Sequence, residues 1–147
     1  IYRKPDSSII DSAMYEEKGN FYLFVKSSPN QDNLLLLVSY HVNGKFERVE
    51  GFDDSMGAQT KGMYEAPTAV KLADGRWCLF ADFYGAGCAG QGYVPLVADD
   101  LTKGVFTRAD EAFHFPYGFK HGTILPITEE EYERMLARDW TDVPDLR

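Results

Sequence analysis

The chain has 147 residues, 44% hydrophobic and 14% aromatic, which is enough for one folded domain with a real core and unlike a disordered or low-complexity sequence. A formal net charge of −8 without any basic stripe argues against nucleic acid or an anionic membrane as partner. The longest apolar run, Leu34–Val38, is strand-sized and far short of the ~18 residues of a membrane-spanning helix.

Residues 1–8 read as an irregular lead-in with Pro5. The chain starts at Ile1 without an initiator Met, and the expectation is a piece of a longer protein. Ser12–Tyr15, a Gly19-Asn20 turn and Phe21–Lys26 have strand and hairpin chemistry. A polar turn over 27–33 leads to Leu34–Tyr40, an expected buried strand, then to Asn43-Gly44 and a fourth strand over Lys45–Glu50. This predicts a four-stranded antiparallel meander. Thr68–Leu72, an Asp74-Gly75 turn and Arg76–Asp82 form a second hairpin; a Gly-rich loop from Gly85 to Gly92, a strand over Tyr93–Ala98 and a weak one over Val105–Arg108 follow. Thr128-Glu129-Glu130-Glu131 is a capping box, and Tyr132, Met135, Leu136 and Trp140 fall at helical spacing, so a short amphipathic helix is expected over about 129–139.

The two meanders are alike. Ile10-Asp11-Ser12-Ala13 and Tyr64-Glu65-Ala66-Pro67 each put a carboxylate ahead of a first strand, then a Gly-containing hairpin and an aromatic second strand. Glu65 follows Asp11 by 54 residues (65 − 11), and His121, opening a third such segment, follows Glu65 by 56 (121 − 65). A four-stranded repeat of that length is the unit of a β-propeller. The expected fold is therefore all-β, a partial propeller of two to three blades with a short C-terminal helix. Blade-like repeats cover about 9–52 and 63–110, and a closing segment with the helix covers about 119–140.

First strands of successive propeller blades line the central channel, so Asp11, Glu65 and His121 should meet although distant in sequence. Two carboxyls and an imidazole around one axis are costly unless they serve chemistry. Neighbouring acids push their proton affinities apart, and glycoside hydrolysis uses such a pair, an acid on the leaving oxygen and a carboxylate opposite it. Taken singly, an Asp or Glu before a strand is most often a turn residue, and the glutamates of Glu129–Glu131 are capping residues. Only the shared placement favours a site.

At these segments, with Tyr22-Leu23-Phe24 and Lys120-His121-Gly122-Thr123-Ile124-Leu125-Pro126, the chain resembles the C-terminal part of family 43 glycoside hydrolases. The resemblance implies a five-bladed propeller acting, by inversion, on arabinose-, xylose- or galactose-containing polysaccharides. It implies that Glu65 is the general acid, that Asp11 orients that acid and tunes it, and that His121 lies near an ion such as calcium, with no cofactor otherwise required. Tyr64, Asp82 and Tyr84 are the candidate substrate-binding residues. Where this chain has Glu65-Ala66-Pro67, members often have Glu-Gly-Pro, and no segment matches the general base of the first blade. Missing blades or self-association are expected to complete the ring. A secreted or periplasmic location is slightly favoured, with a cytoplasmic one compatible.

Other features carry less. Gly85-Ala86-Gly87-Cys88-Ala89-Gly90 fits a dinucleotide-binding pattern, but the extended, Pro-containing Tyr93–Val97 follows it instead of a helix. A loop at the channel mouth is the better reading. Phe83, Tyr84, Tyr93, Phe115 and Tyr117 are aromatics suited either to sugar stacking or to packing between blades. Cys78 and Cys88 are expected as two free thiols, with one bridge the alternative. A non-catalytic carbohydrate-binding propeller or an interaction module remains the rival to the enzyme.

Overall fold

The computed structural model describes residues 8–28, 34–59, 63–84, 92–113 and 118–138. Eight strands form two four-stranded antiparallel sheets, each in sequential order. The first holds β1 (Ser8–Glu17), β2 (Asn20–Ser28), β3 (Leu34–Ser39) and β4 (Glu47–Arg48), and the second β5 (Met63–Lys71), β6 (Trp77–Tyr84), β7 (Gly92–Ala98) and β8 (Thr107–Arg108). These are two propeller blades, as the repeat implies. Lys18 and Gly19, both at positive φ, close the β1–β2 hairpin so that Glu17 faces Asn20, and Gly75 turns the β5–β6 hairpin.

The main core lies between the blades. Tyr22, Phe24, Leu34 and Leu36 of the first sheet meet Tyr64, Trp77, Leu79, Phe83 and Leu96 of the second. The Tyr15 ring stands edge-on to both Phe24 and Trp77 at 6.1 and 5.6 Å. Its hydroxyl accepts a 2.7 Å hydrogen bond from the Ala69 N–H of the next blade's first strand. Side chains of adjacent inner strands thus fix the two blades to each other.

Three features differ from the sequence reading. The fourth strands are two residues each, so the strand expected over Lys45–Glu50 shrinks to Glu47–Arg48. A helix not anticipated, α1 (Glu50–Gln59), joins the blades. Gly51 and Gly57 make it a poor intrinsic helix; packing holds it. Phe52 and Met56, one turn apart, are buried, Phe52 lies edge-on to Phe24 and Phe106, and Ser55 Oγ both donates to Phe106 O and accepts from Phe106 N–H. Finally, the third segment, 119–128, runs beside the second blade without forming a strand.

Helix α2 (Glu129–Ala137) forms where the capping box lies. The Glu131 N–H donates to Thr128 Oγ1 at 3.2 Å and the Thr128 N–H to Glu131 Oε2 at 2.8 Å. Cys78 is a buried free thiol, its pKa pushed up to about 12 by burial. Cys88, the Gly-rich loop over 85–91, Phe115 and Tyr117 lie outside the described residues.

Candidate active site

Both blades begin with a β-bulge at the same place. Pairing shifts between Ile10/Ala13 in β1 and between Glu65/Thr68 in β5. Asp11 and Ala66 sit in these bulges with φ of 50° and 47°, and His121 adopts 49° in the third segment. The three are spaced by 55 residues each (66 − 11 and 121 − 66). This corrects the alignment read from the sequence by one position: the counterpart of Asp11 is Ala66, whereas Glu65 corresponds to Ile10 and Lys120 precedes His121. A bulge inserts an unpaired residue and re-aims its neighbours, so carboxylates from non-equivalent positions reach one area. Asp and His are enriched in the left-handed region, whereas Ala is not. A Gly at this place would sit there without strain.

The bulges bring Asp11 to the backbone that follows Glu65. The Ala66 N–H donates to Asp11 Oδ2 at 3.2 Å, so Asp11 pins the peptide adjoining the glutamate. His121 Nε2 lies 3.4 Å from Glu65 Oε1 and 3.3 Å from Asp82 Oδ2, and Lys120 Nζ is 3.9 Å from Glu65 Oε1. The His121 N–H donates to Asp82 Oδ2 at 3.2 Å. Asp82, across the ladder from Glu65, is 0% exposed. Burial pushes its carboxyl above the ordinary aspartate range, opposed by the backbone bond and charge of His121 and by Lys120, and reinforced by Glu65. Its Oδ1 has no hydrogen-bond partner among the described residues.

Tyr93 locks the third segment onto the second blade. Its hydroxyl donates to Gly122 O at 2.6 Å and lies 3.3 Å from Ala66 O, and its N–H donates to Phe119 O at 3.1 Å. Burial, with Asp82 nearby, raises this phenol to about 12. Two aromatics named as sugar-stacking candidates, Phe83 and Tyr93, are therefore largely buried packing residues.

One residue of the site escaped the sequence reading. Lys26, facing Ile10 as Asp82 faces Glu65, is only 2% exposed. Its ammonium donates to Tyr64 O at 2.9 Å and to the Tyr84 hydroxyl at 2.6 Å and lies 4.8 Å from the Tyr84 ring centroid. Burial lowers its pKa, while the charges of Glu65 and Asp11 raise it. A lysine ending the aromatic run Phe21–Lys26 was the available signal.

Glu65, Asp82, His121 and Asp11 are thus brought together, with the half-buried Tyr84 beside Lys26. Tyr64 is not. Strand alternation turns its side chain away from that of Glu65, and it is 0% exposed, packed against Phe83 at 5.4 Å. The expectation of a substrate contact by Tyr64 is corrected: only its carbonyl, through Lys26, touches the site. As metal ligands, Glu65, Asp82 and His121 offer three atoms within 4.8 Å of one another. Calcium takes six to eight oxygen ligands. Two carboxylates with an imidazole do not make such a cage and better suit a transition-type divalent ion.

Comparisons with known proteins agree with this architecture. Among solved structures, the fold matches a family 43 β-1,3-galactosidase determined with galactodeoxynojirimycin, with TM-score 0.52 and 14% identity. The match covers 74% of this chain and 36% of that one, so the chain spans about a third of the neighbour's length. No curated protein matches the sequence. Residues 1–133 match the family described as "probable glycosyl hydrolase domain", the family 43-related glycosyl hydrolases. A bulged carboxylate site on successive blades, a partial propeller fold and a family match over nearly the whole chain lead to one assignment: the chain belongs to the family 43-related glycosyl hydrolases.

Proposed function

We propose that this chain carries the proton-donor half of a glycoside hydrolase active site, completed by further blades. The observation that carries the reading is the convergence of Glu65, Asp82 and His121, with Asp11 bonded to the peptide after Glu65. In this reading Glu65 protonates the glycosidic oxygen as the bond to the anomeric carbon breaks. A carboxylate from another blade, about 6.5–9.5 Å away on the opposite face of the sugar, activates the water of an inverting displacement. Asp11 is a positioning residue, holding the bulge that aims Glu65. Lys120 gives the glutamate a cationic neighbour for the charge it acquires after proton transfer, and His121 Nε2 lies beside the same oxygen. Tyr84, held by Lys26, borders the sugar site, whereas Asp82, expected as a substrate contact, is fully buried and instead holds His121 from behind. No step is routed through a metal.

The substrate class is an arabinose-, xylose- or galactose-containing oligo- or polysaccharide, and the fold neighbour's β-1,3-galactosidase activity directs the first assays to galactosides. Such a substrate suits a secreted or periplasmic enzyme. The test is hydrolysis of arabinoside, xyloside and galactoside panels by the longest native protein containing this chain. Glu65→Gln is expected to lose turnover on glycosides whose leaving group needs the proton. Saccharide binding without turnover on any panel would replace this reading with that of a carbohydrate-binding propeller.

A further inference from the structure

A second feature lies at the other end of the strands. A cleft of about 450 Å³ is bounded by Asn20, Tyr22, Tyr40, His41 and Glu47 of the first blade, with Thr102 of the second. Asn20 opens β2, six residues before Lys26, so roughly 20 Å of strand separates this cleft from the Glu65 site. Its volume is within the ~300–1,000 Å³ typical of small-molecule sites.

The cleft is amphipathic. Val38 and Val49 supply apolar wall, and Tyr40, at the rim, is 80% exposed. An aromatic face open to solvent is unusual where every other ring of the first blade is packed. Tyr22 is 1% exposed and borders the cleft, and its hydroxyl is not among the buried polar atoms left without a partner, so with no bond to a described residue it reaches the cleft. A tyrosine with an apolar body packed in the core and a hydroxyl at a cleft wall is open to a hydrogen bond from a ligand hydroxyl. Burial and the charges of Asp100 and Glu17 raise the Tyr22 pKa; the group stays a neutral phenol, and the same acidic surroundings repel anions. Lys45 and Glu47 are paired with each other at 3.1 Å, and Ser39 Oγ is engaged with His41 N–H and O. The wall thus offers neither a free cation for an anion nor an unpaired carboxylate for a cation.

We propose that this cleft is a second saccharide-binding site, distinct from the Glu65 site. One pyranose or furanose stacks on Tyr40 and a hydroxyl of the ligand bonds to the Tyr22 phenol, with Asn20 and His41 as flanking polar groups. The chemistry is that of a neutral polyol with an apolar face. Its role is to hold a polymer on the enzyme while the channel acts on it, and this role rests on the hydrolase reading above.

The experiment is native gel electrophoresis of the longest native protein through soluble arabinan, arabinoxylan or arabinogalactan, alongside turnover of nitrophenyl glycosides. The wild type is retarded by at least one polymer. Tyr40→Ala weakens retardation about tenfold, equivalent to ~1.4 kcal/mol, and Tyr22→Phe, which keeps the buried ring, about fivefold, as for one lost hydrogen bond. Both variants hydrolyse nitrophenyl glycosides at the wild-type rate. Unchanged retardation in Tyr40→Ala, retardation by none of the three polymers, or preferential binding of spermine to the cleft would each overturn the proposal. Tyr40-dependent retardation in a protein that hydrolyses nothing would leave the cleft standing and sink the hydrolase reading. Turnover with Tyr40-independent retardation would do the reverse.

Discussion

Ala66 offers the sharpest test of how the bulge is built. It holds φ of 47° beside Glu65, in a region that costs an L-residue with a Cβ about 1–2 kcal/mol. Ala66→Gly removes that cost and adds about 0.5–1 kcal/mol of unfolded-state freedom. The methyl given up is only half-buried, and the bond from the residue 66 N–H to Asp11 is kept. The balance is a stabilisation of roughly 0.5–1 kcal/mol, or about 1–4 °C in Tm for a chain of this size. Ala66→Val, β-branched and therefore a steric outlier at this φ, loses more than ~1 kcal/mol. Urea titrations read both as shifts in midpoint at constant slope. A lower midpoint for Ala66→Gly, or no loss in Ala66→Val, would refute the strained-bulge account.

Further outcomes follow from the same site. Asp82 has its folded-state pKa raised by burial, so its ionisation opposes folding. Stability is lost as pH rises from the unfolded value of about 3.9 through the folded one. In EDTA, Asp82→Asn should melt a few degrees above wild type at pH 7 and lose that advantage near pH 3.5; an advantage independent of pH would contradict this. Tyr93→Phe removes the hydroxyl that bridges Gly122 and Ala66 and should cost about 1–2 kcal/mol in denaturant midpoint, with faster amide exchange around residues 121–124; unaltered exchange would show the clamp to be dispensable. Mn²⁺ or Zn²⁺, binding Glu65 with Asp82 and His121, should inhibit turnover by occupying the proton donor, and activation by either ion would contradict the metal-free mechanism.

The meanders were legible because strand chemistry and turn residues repeat together. Gly19-Asn20 and Asp74-Gly75 mark the hairpins that the structure forms, and Thr128 with Glu131 announces α2. Asn43-Gly44 misled: the connection from Ser39 to Glu47 is longer than a two-residue turn, and Gly44 N–H instead bonds back to His41 O. Helix α1 was illegible because its local signals oppose it. Two glycines lower its propensity, and only the pocket between Phe24 and Phe106 gives Phe52 a reason to be helical. The gathering of Asp11, Glu65 and His121 was legible, with their alignment off by one residue. A bulge leaves no mark in a strand pattern, so Glu65 was matched to Asp11 when Ala66 is its counterpart. Tyr64 was misplaced for the related reason that neighbours on a strand face opposite ways. Lys26 was hidden by its position at a strand end, where a lysine ordinarily reaches solvent.

The central claim, that Glu65 donates the proton to the departing sugar oxygen, is tested most directly by leaving-group dependence. Turnover of the longest native protein and its Glu65→Gln variant is measured on an alkyl glycoside and on a 2,4-dinitrophenyl glycoside of the same sugar. A proton donor matters only where the leaving group needs the proton. The account predicts a loss of about 10²–10⁴-fold on the alkyl glycoside and a far smaller one on the activated aryl glycoside. An equal loss on both would contradict it and assign Glu65 another role.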